Sequence, residues 1–154
     1  MEKKIGFKAL IPNPALKPFA SLIGEWKTTG SHPYFPNTIL HGHASFEWIE
    51  GGAFLILRSE IDEPHFPNGI EIFGSDDVAK KYFMLYFDER GVSRKFDVTL
   101  DGKKIKWWRD EPHFSQRYIM TIEDKGNKIV VKGEMSQNGA PWGKDLELTH
   151  IRIK

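Results

Sequence analysis

The chain contains no cysteine among its 154 residues. Disulfides, thiolate metal ligands and thiol catalysis are therefore excluded, and a reducing, cytoplasmic location is predicted. Neither sign of charge is in excess, since 22 Lys and Arg face 21 Asp and Glu and form no basic stripe; this argues against a nucleic-acid partner. No apolar run approaches the roughly 18 residues of a membrane span, and the first residues lack the pattern of a signal peptide.

What the sequence does contain is a regular series of turns. Short apolar-rich runs alternate with turn sequences rich in Gly, Asn and Asp, such as Glu50-Gly51-Gly52, Asp101-Gly102 and Asn138-Gly139. Gly and Asn supply the positive φ that tight hairpins need. A spacing of roughly 8–12 residues between turns predicts an antiparallel barrel or sandwich. The 13% aromatic content suits a barrel wall, where each ring buries a large area.

Residues 14–154 are predicted to form one domain, preceded by an arm over residues 1–13. The only predicted helix is short and covers Pro14 to Ile23, with Asn13 as its cap and Pro18 limiting its length. About ten strands follow, and alternation of side chains along them assigns the two faces. The predicted strands are Glu25–His32, Leu40–Ile49, Ala53–Asp62, Ile70–Ser75, Lys81–Asp88, Ser93–Leu100, Lys103–Arg109, Ser115–Glu123, Lys128–Gln137 and Lys144–Ile153.

The junction between the helix and the first strand carries a family resemblance. Gly24-Glu25-Trp26 resembles the Gly-x-Trp signature of the lipocalin and calycin superfamily, in which the Trp plugs the closed end of a barrel. Arg152 stands where that superfamily often sets an Arg against this Trp. Further blocks, including Trp48–Gly52 and Phe87–Arg94, resemble a group of bacterial lipocalin-like proteins that has no settled activity. The resemblance implies an all-β, antiparallel up-and-down barrel of about ten strands with a short N-terminal helix.

A more distant resemblance is to nitrobindin, a ten-stranded haem barrel that also begins with Gly-x-Trp. The haem ligand there is a His on the last strand. In the alignment used here Glu147 takes that position, and His150, three residues on, faces the other way. The expectation is therefore that the chain has no resident cofactor, with haem binding kept as an alternative.

Polar residues on predicted strands are the candidates for contacts with a ligand inside the barrel. A cavity that is mostly apolar with a few placed polar groups is typical of small-molecule pockets. An inward Arg could hold a carboxylate or phosphate through a bidentate pair, whereas Arg117 is predicted to lie on the outer face. The predicted ligand-binding residues are His32, Arg58, Tyr86, Arg94, Arg109, Gln116, Tyr118 and His150; Gly24, Trp26 and Arg152 are predicted to close the barrel.

The preferred function is the binding of a small apolar or amphipathic molecule, without catalysis. The alternative is an enzyme acting on a small anionic substrate, with His32 or His150 as base and Arg94 or Arg109 holding the anion. His41 and His43 share one strand face, but two ligands do not make a metal site, so none is predicted. Exposed aromatic residues near Tyr34 leave a homodimer open.

Overall fold

A computed structural model describes residues 11–154, and they form a closed antiparallel barrel. Each strand pairs with the next along the chain, and the first strand also pairs with the last, with Trp26 opposite Arg152. The predicted up-and-down barrel of ten strands is confirmed, and no predicted strand bound is off by more than one residue. The strands are β1 (Gly24–Ser31), β2 (Leu40–Ile49), β3 (Phe54–Ile61), β4 (Gly69–Asp76), β5 (Lys81–Asp88), β6 (Ser93–Asp101), β7 (Lys104–Arg109), β8 (Phe114–Glu123), β9 (Lys128–Gln137) and β10 (Gly143–Arg152).

The predicted helix is a 3-10 helix over Pro14–Leu22, and Asn13 caps it by accepting a hydrogen bond from the Ala15 amide at 3.0 Å. Leu16, Phe19 and Leu22 are spaced three residues apart, and all three are buried. Because a 3-10 helix has three residues per turn, this spacing puts them on one face. That face closes one end of the barrel.

The closed end is densely packed around the first strand. Trp26 is fully buried, and its indole Nε1 donates a hydrogen bond to the Leu22 carbonyl at 3.0 Å. Phe19 of the helix packs edge-on against Tyr82 with ring centroids 5.1 Å apart. These contacts join the helix to the barrel wall, so the interior is open only at the opposite end.

The opposite end, called the open end below, carries the connections from β1 to β2, β3 to β4, β5 to β6, β7 to β8 and β9 to β10. The longest of these, residues 32–39, follows β1 and is called the β1–β2 loop. The described residues contain no helix that could cross a membrane.

The predicted N-terminal arm falls mostly on residues 1–10, which lie outside the described residues. Of its remainder, Asn13 donates its backbone amide to the Gly52 carbonyl at 2.9 Å. Gly52 has a φ of 92°, and a Cβ there would stand 2.8 Å from Pro12. The chain before the helix thus lies against the turn between β2 and β3, where only glycine fits.

Candidate functional site

The interior of the barrel holds a cavity of about 670 Å³ that reaches the open end. This volume lies within the range of small-molecule sites. Alternation along the strands points one large apolar side chain after another into it, and Trp107 stacks on Tyr118 with ring centroids 5.4 Å apart. The apolar part of the wall includes Leu57, Met84, Phe96, Trp107, Met120, Val131 and Leu148.

A buried carboxylate, Asp145, organises the polar side of the cavity. It accepts hydrogen bonds from His32 at 3.0 Å, Gln116 at 2.8 Å and the Tyr118 hydroxyl at 2.7 Å. Burial opposes ionisation of Asp145, but these hydrogen bonds outweigh it and hold the pKa of the carboxyl below its usual value. Burial, followed by the charge of Asp145, raises the pKa of Tyr118 well above its usual value. The cluster is therefore a charged carboxylate with three donors, joined in a single network.

Asp145 was not among the residues predicted from sequence, and the reason is a strand irregularity. Simple alternation gives it the same face as Glu147, opposite to Leu146, Leu148 and His150. The register of β10 against β9 shifts between Lys144 and Glu147. Such a bulge places an extra residue in one strand and re-aims its side chain. Asp145 consequently reaches the interior. Neither the two-residue alternation of the strand nor its composition predicts this direction.

His32 lies in this network with both ring nitrogens engaged. Its Nδ1 accepts from the backbone amide of Tyr34 at 3.0 Å, so Nε2 carries the proton that is donated to Asp145. The ring also contacts Phe35 and Phe66 edge-on, with centroids 6.3 and 6.1 Å away. With no lone pair left for a substrate proton, His32 is placed to anchor the β1–β2 loop on β10 and not to act as a base.

Glu71 is a second acidic group in the cavity, and sequence reasoning passed over it. It lies on β4 between Leu57 of β3 and Tyr86 of β5. Its Oε2 is buried and has no hydrogen-bond partner within residues 11–154. Burial raises the pKa of its carboxyl to about 7. Glu71 shares a strand face with Phe73, and this could have predicted its inward direction. Because Ile70 and Ile72 make the opposite face equally apolar, the sequence does not show which face of β4 points inward.

Arg94 and Tyr86 also line the cavity, near its mouth. Arg94 donates to the Gln116 amide oxygen at 3.3 Å and lies over the Phe114 ring at 4.8 Å. Burial, then the charge of Arg109, lowers the pKa of Arg94. The Tyr86 hydroxyl donates to Asp88 at 2.6 Å. Arg94 is half-buried and has no salt bridge to any residue between 11 and 154.

His150 lies deeper, on the inner face of the last strand. It is 2% exposed and its Nδ1 is 2.8 Å from the Thr28 hydroxyl on β1. Burial lowers the pKa of its imidazole to about 4, so the ring is neutral at pH 7. The resemblance to nitrobindin set Glu147 at the ligand position with His150 facing the other way. In the structure, alternation with Leu146 and Leu148 turns His150 inward, as expected of a ligand-binding candidate, and leaves Glu147 on the other face.

Two of the predicted ligand-binding residues lie away from the cavity. Arg58 is exposed on the outer face of β3, because alternation points its neighbours Leu57 and Ser59 inward instead. Arg109 shares the inner parity of Trp107, but at the end of β7 its Nε turns to the Phe114 carbonyl at 3.2 Å. These two predictions are therefore corrected.

The remaining predicted residues are placed as follows. His32, Gln116 and Tyr118 meet at Asp145, Arg94 joins them through Gln116, and Tyr86 and His150 line the same cavity. His41 and His43 are both exposed on β2. Within the part of the chain that the structure describes, no group of three or more metal-ligating side chains occurs. Of the barrel-closing residues, Arg152 lies over the ring of Trp26.

Solved structures with the same architecture place the chain in a fold class. Rv2717c from M. tuberculosis superposes with a TM-score of 0.62 at 14% identity, over 92% of this chain and 98% of that one. An S-type phycobiliprotein lyase, CPES from Guillardia theta, gives 0.57 at 7% identity, over 93% and 95%. The zebrafish ileal bile acid-binding protein, complexed with cholic acid, gives 0.52 at 15% identity, over 86% and 99%.

The chain thus has the fold of the calycin and lipocalin-like β-barrels, as its Gly-x-Trp motif predicted. At these identities the likeness concerns the fold alone. No family model matches the sequence, and no curated protein matches it either.

Proposed function

We propose that this protein binds a small apolar or amphipathic molecule inside the barrel. The observation that carries the proposal is the cavity of about 670 Å³, apolar on most of its wall and polar around Asp145. Burying about 300 Å² of apolar ligand surface would contribute about 7 kcal/mol at about 25 cal/mol/Å². The loss of ligand freedom offsets part of this, so we expect dissociation constants in the micromolar range.

The solved neighbours support the proposal. The zebrafish protein binds bile acid, and cholic acid is an amphipathic molecule. The barrel of this chain is closed, with its helix at one end and its cavity opening at the other. The loops at the open end, with Phe35 and Phe66 in contact at 6.0 Å, form the entrance.

A fluorescence titration with Nile red, a neutral apolar dye, tests the proposal. We expect saturable binding to the wild type and a large loss of affinity in Val131→Trp, because that side chain lines the cavity and the larger ring would fill it. Lys132→Trp is the matched control, since Lys132 is the next residue on β9 and is exposed. Failure of the wild type to bind the dye, or equal binding by both variants, would contradict an interior site.

Haem binding is a second candidate, favoured by the position of His150. Its neutral imidazole uses Nδ1 for the Thr28 contact, and no residue from 11 to 154 hydrogen-bonds to Nε2. This is the arrangement of a ligating histidine, whose second nitrogen is held by the protein. Addition of haemin should then give a Soret band that is shifted and sharpened relative to that of free haemin; His150→Ala should abolish this change, and His113→Ala, at the rim, should retain it. An absorption spectrum identical to that of free haemin would remove this candidate.

A further inference from the structure

Glu71 has no partner that accounts for its charge. It lies inside the barrel, its Oε2 is buried without a hydrogen bond, and no ion pair to it exists within residues 11–154. A buried carboxylate is retained at a free-energy cost unless something pairs with it. Asp145, the other acidic group of the cavity, is by contrast satisfied by three donors. Glu71 is therefore an acidic group of the cavity whose bonding is left to a ligand.

The surroundings of Glu71 are aromatic, and no Lys or Arg between residues 11 and 154 forms an ion pair with it. Tyr86 lies directly opposite it on β5. Burial and then Asp88 raise the pKa of Tyr86, and burial and then Asp145 raise that of Tyr118; the charge of Glu71 adds a smaller contribution to both. Trp107 stacks on Tyr118, so the aromatic surface extends across the barrel. The two arginines that line the cavity have other partners: Arg90 pairs with Asp88, and Arg94 is turned toward Gln116 and the Phe114 ring.

A carboxylate among aromatic rings is the chemistry that recognises an ammonium group. The ammonium supplies the missing charge and up to three N–H donors to the carboxylate. Its positive charge is also attracted to the faces of Trp and Tyr rings. An alcohol would supply one donor and no charge, and a carboxylic acid would bring a second negative charge.

We propose that Glu71 makes this cavity selective for amphipathic amines, with the ammonium group at Glu71 and the apolar body against Met84, Phe96 and Trp107. The inference rests on the proposed binding function and specifies its ligand class. Fatty acids, whose carboxylate Arg94 could hold near the mouth, are the competing class.

Isothermal titration with three ligands that share an eight-carbon chain tests this. We expect octylamine to bind wild-type protein at pH 8 at least about tenfold more tightly than 1-octanol or octanoate. Glu71→Gln keeps the side-chain shape and should remove most of that preference. Glu60→Gln, exposed on the outer face of β3, is the matched control and should retain it.

The wild type also provides a test that needs no variant. Octylamine affinity should fall from pH 8 to pH 6, because protonation of Glu71 removes the charge that pairs with the ammonium. Tyr86 and Tyr118 keep their protons over this range, while Asp88 and Asp145 stay ionised, as their shifted pKa values require. The ligand ammonium stays charged.

The outcomes separate this inference from the binding function itself. Equal or tighter binding of octanol or octanoate, or an unchanged preference in Glu71→Gln, overturns the amine inference and leaves a binding cavity. The same conclusion follows if Nile red binds and none of the three ligands does. Exclusion of Nile red from the wild type overturns both.

Discussion

The guanidinium carbon of Arg152 lies 4.2 Å from the centroid of the Trp26 ring, across the β1–β10 pair that closes the barrel. The same guanidinium donates to the carbonyl of Ile23 at 2.7 Å and to that of Gly126 at 3.0 Å. One side chain thereby links the first strand, the last strand, the helix end and the turn before β9. The Gly-x-Trp motif and the late basic residue thus form a structural unit at the closed end.

Loss of this unit should destabilise the protein strongly. We expect Arg152→Lys to lower the free energy of unfolding by about 2 kcal/mol, because Lys cannot both cover the ring and donate to several carbonyls. Urea denaturation measures it. Arg117→Lys is the control, since Arg117 lies 4.0 Å from the Trp142 ring but on the exposed outer face, where the cost should stay below about 1 kcal/mol. Equal losses in the two variants would contradict this role.

Asp145→Asn should loosen the β1–β2 loop as well as destabilise the fold. The variant weakens three hydrogen bonds to a carboxylate, and we expect a loss of about 2 kcal/mol at pH 7. Hydrogen exchange of the Tyr34 amide, which bonds to His32, should become faster. The variant Glu147→Gln, two residues along β10, should leave both measurements unchanged. Undisturbed exchange at Tyr34 in Asp145→Asn would show that the network does not hold the loop.

The lowered pKa of Asp145 also determines how its contribution to the free energy of unfolding changes with pH. Because the folded pKa lies below the unfolded value, the stabilisation by ionised Asp145 is complete above the unfolded value and is lost as the pH falls through the folded one. The difference in unfolding free energy between wild type and Asp145→Asn should therefore shrink in strong acid.

His150 should make the protein less stable in mild acid. Its folded pKa of about 4 lies below the ordinary value of 6.5, so the unfolded chain binds the proton first. Stability from this group is complete above pH 6.5 and falls by up to about 3 kcal/mol as the pH drops to about 4. In urea titrations at pH 7 and pH 4.5, His150→Gln should show less of this loss than wild type. Identical pH dependence in the two proteins would contradict a buried, neutral ring.

Glu71, unlike His150, should make the protein less stable as the pH rises. Its folded pKa of about 7 lies above the ordinary value of 4.5, so the ligand-free protein loses stability as the pH rises from 4.5 through 7. We expect the free energy of unfolding of Glu71→Gln to exceed that of wild type by up to about 3 kcal/mol at pH 8 and to equal it at pH 4.5. Urea denaturation at the two pH values measures this. The control Glu60→Gln should match wild type at both. A destabilised Glu71→Gln at pH 8 would mean that the carboxylate has a favourable partner.

Local patterns predicted most of this fold. Turn residues with positive φ, such as Gly91, Gly102 and Gly139, mark the hairpins, and they act over a few residues regardless of what lies across the barrel. Alternation put Arg94 on the face shared by Phe96 and Val98 and left its direction open; the structure turns it toward the cavity. A cytoplasmic location and a homodimer stay predictions.

The candidate site was harder to predict because it depends on pairing between distant strands. Asp145 turns inward only through the shift of β10 against β9, and Arg109 is drawn away by a carbonyl of the next strand. The sequence offered His32 as a candidate general base, but its two ring nitrogens are bonded to the Tyr34 amide and to Asp145.

The sequence by itself predicted about ten antiparallel strands, because turn chemistry and a period of two are short-range properties. The resemblance carried by Gly-x-Trp added the plugged end and the Trp26–Arg152 contact. Only the tertiary structure decided which polar groups share the interior and which of them find partners. Asp145 and Glu71 are both carboxyl groups of one cavity wall. Asp145 is bonded by Gln116, by Tyr118 and by His32, which lies 113 positions earlier in the chain. The Oε2 of Glu71 has no hydrogen-bond partner among residues 11–154.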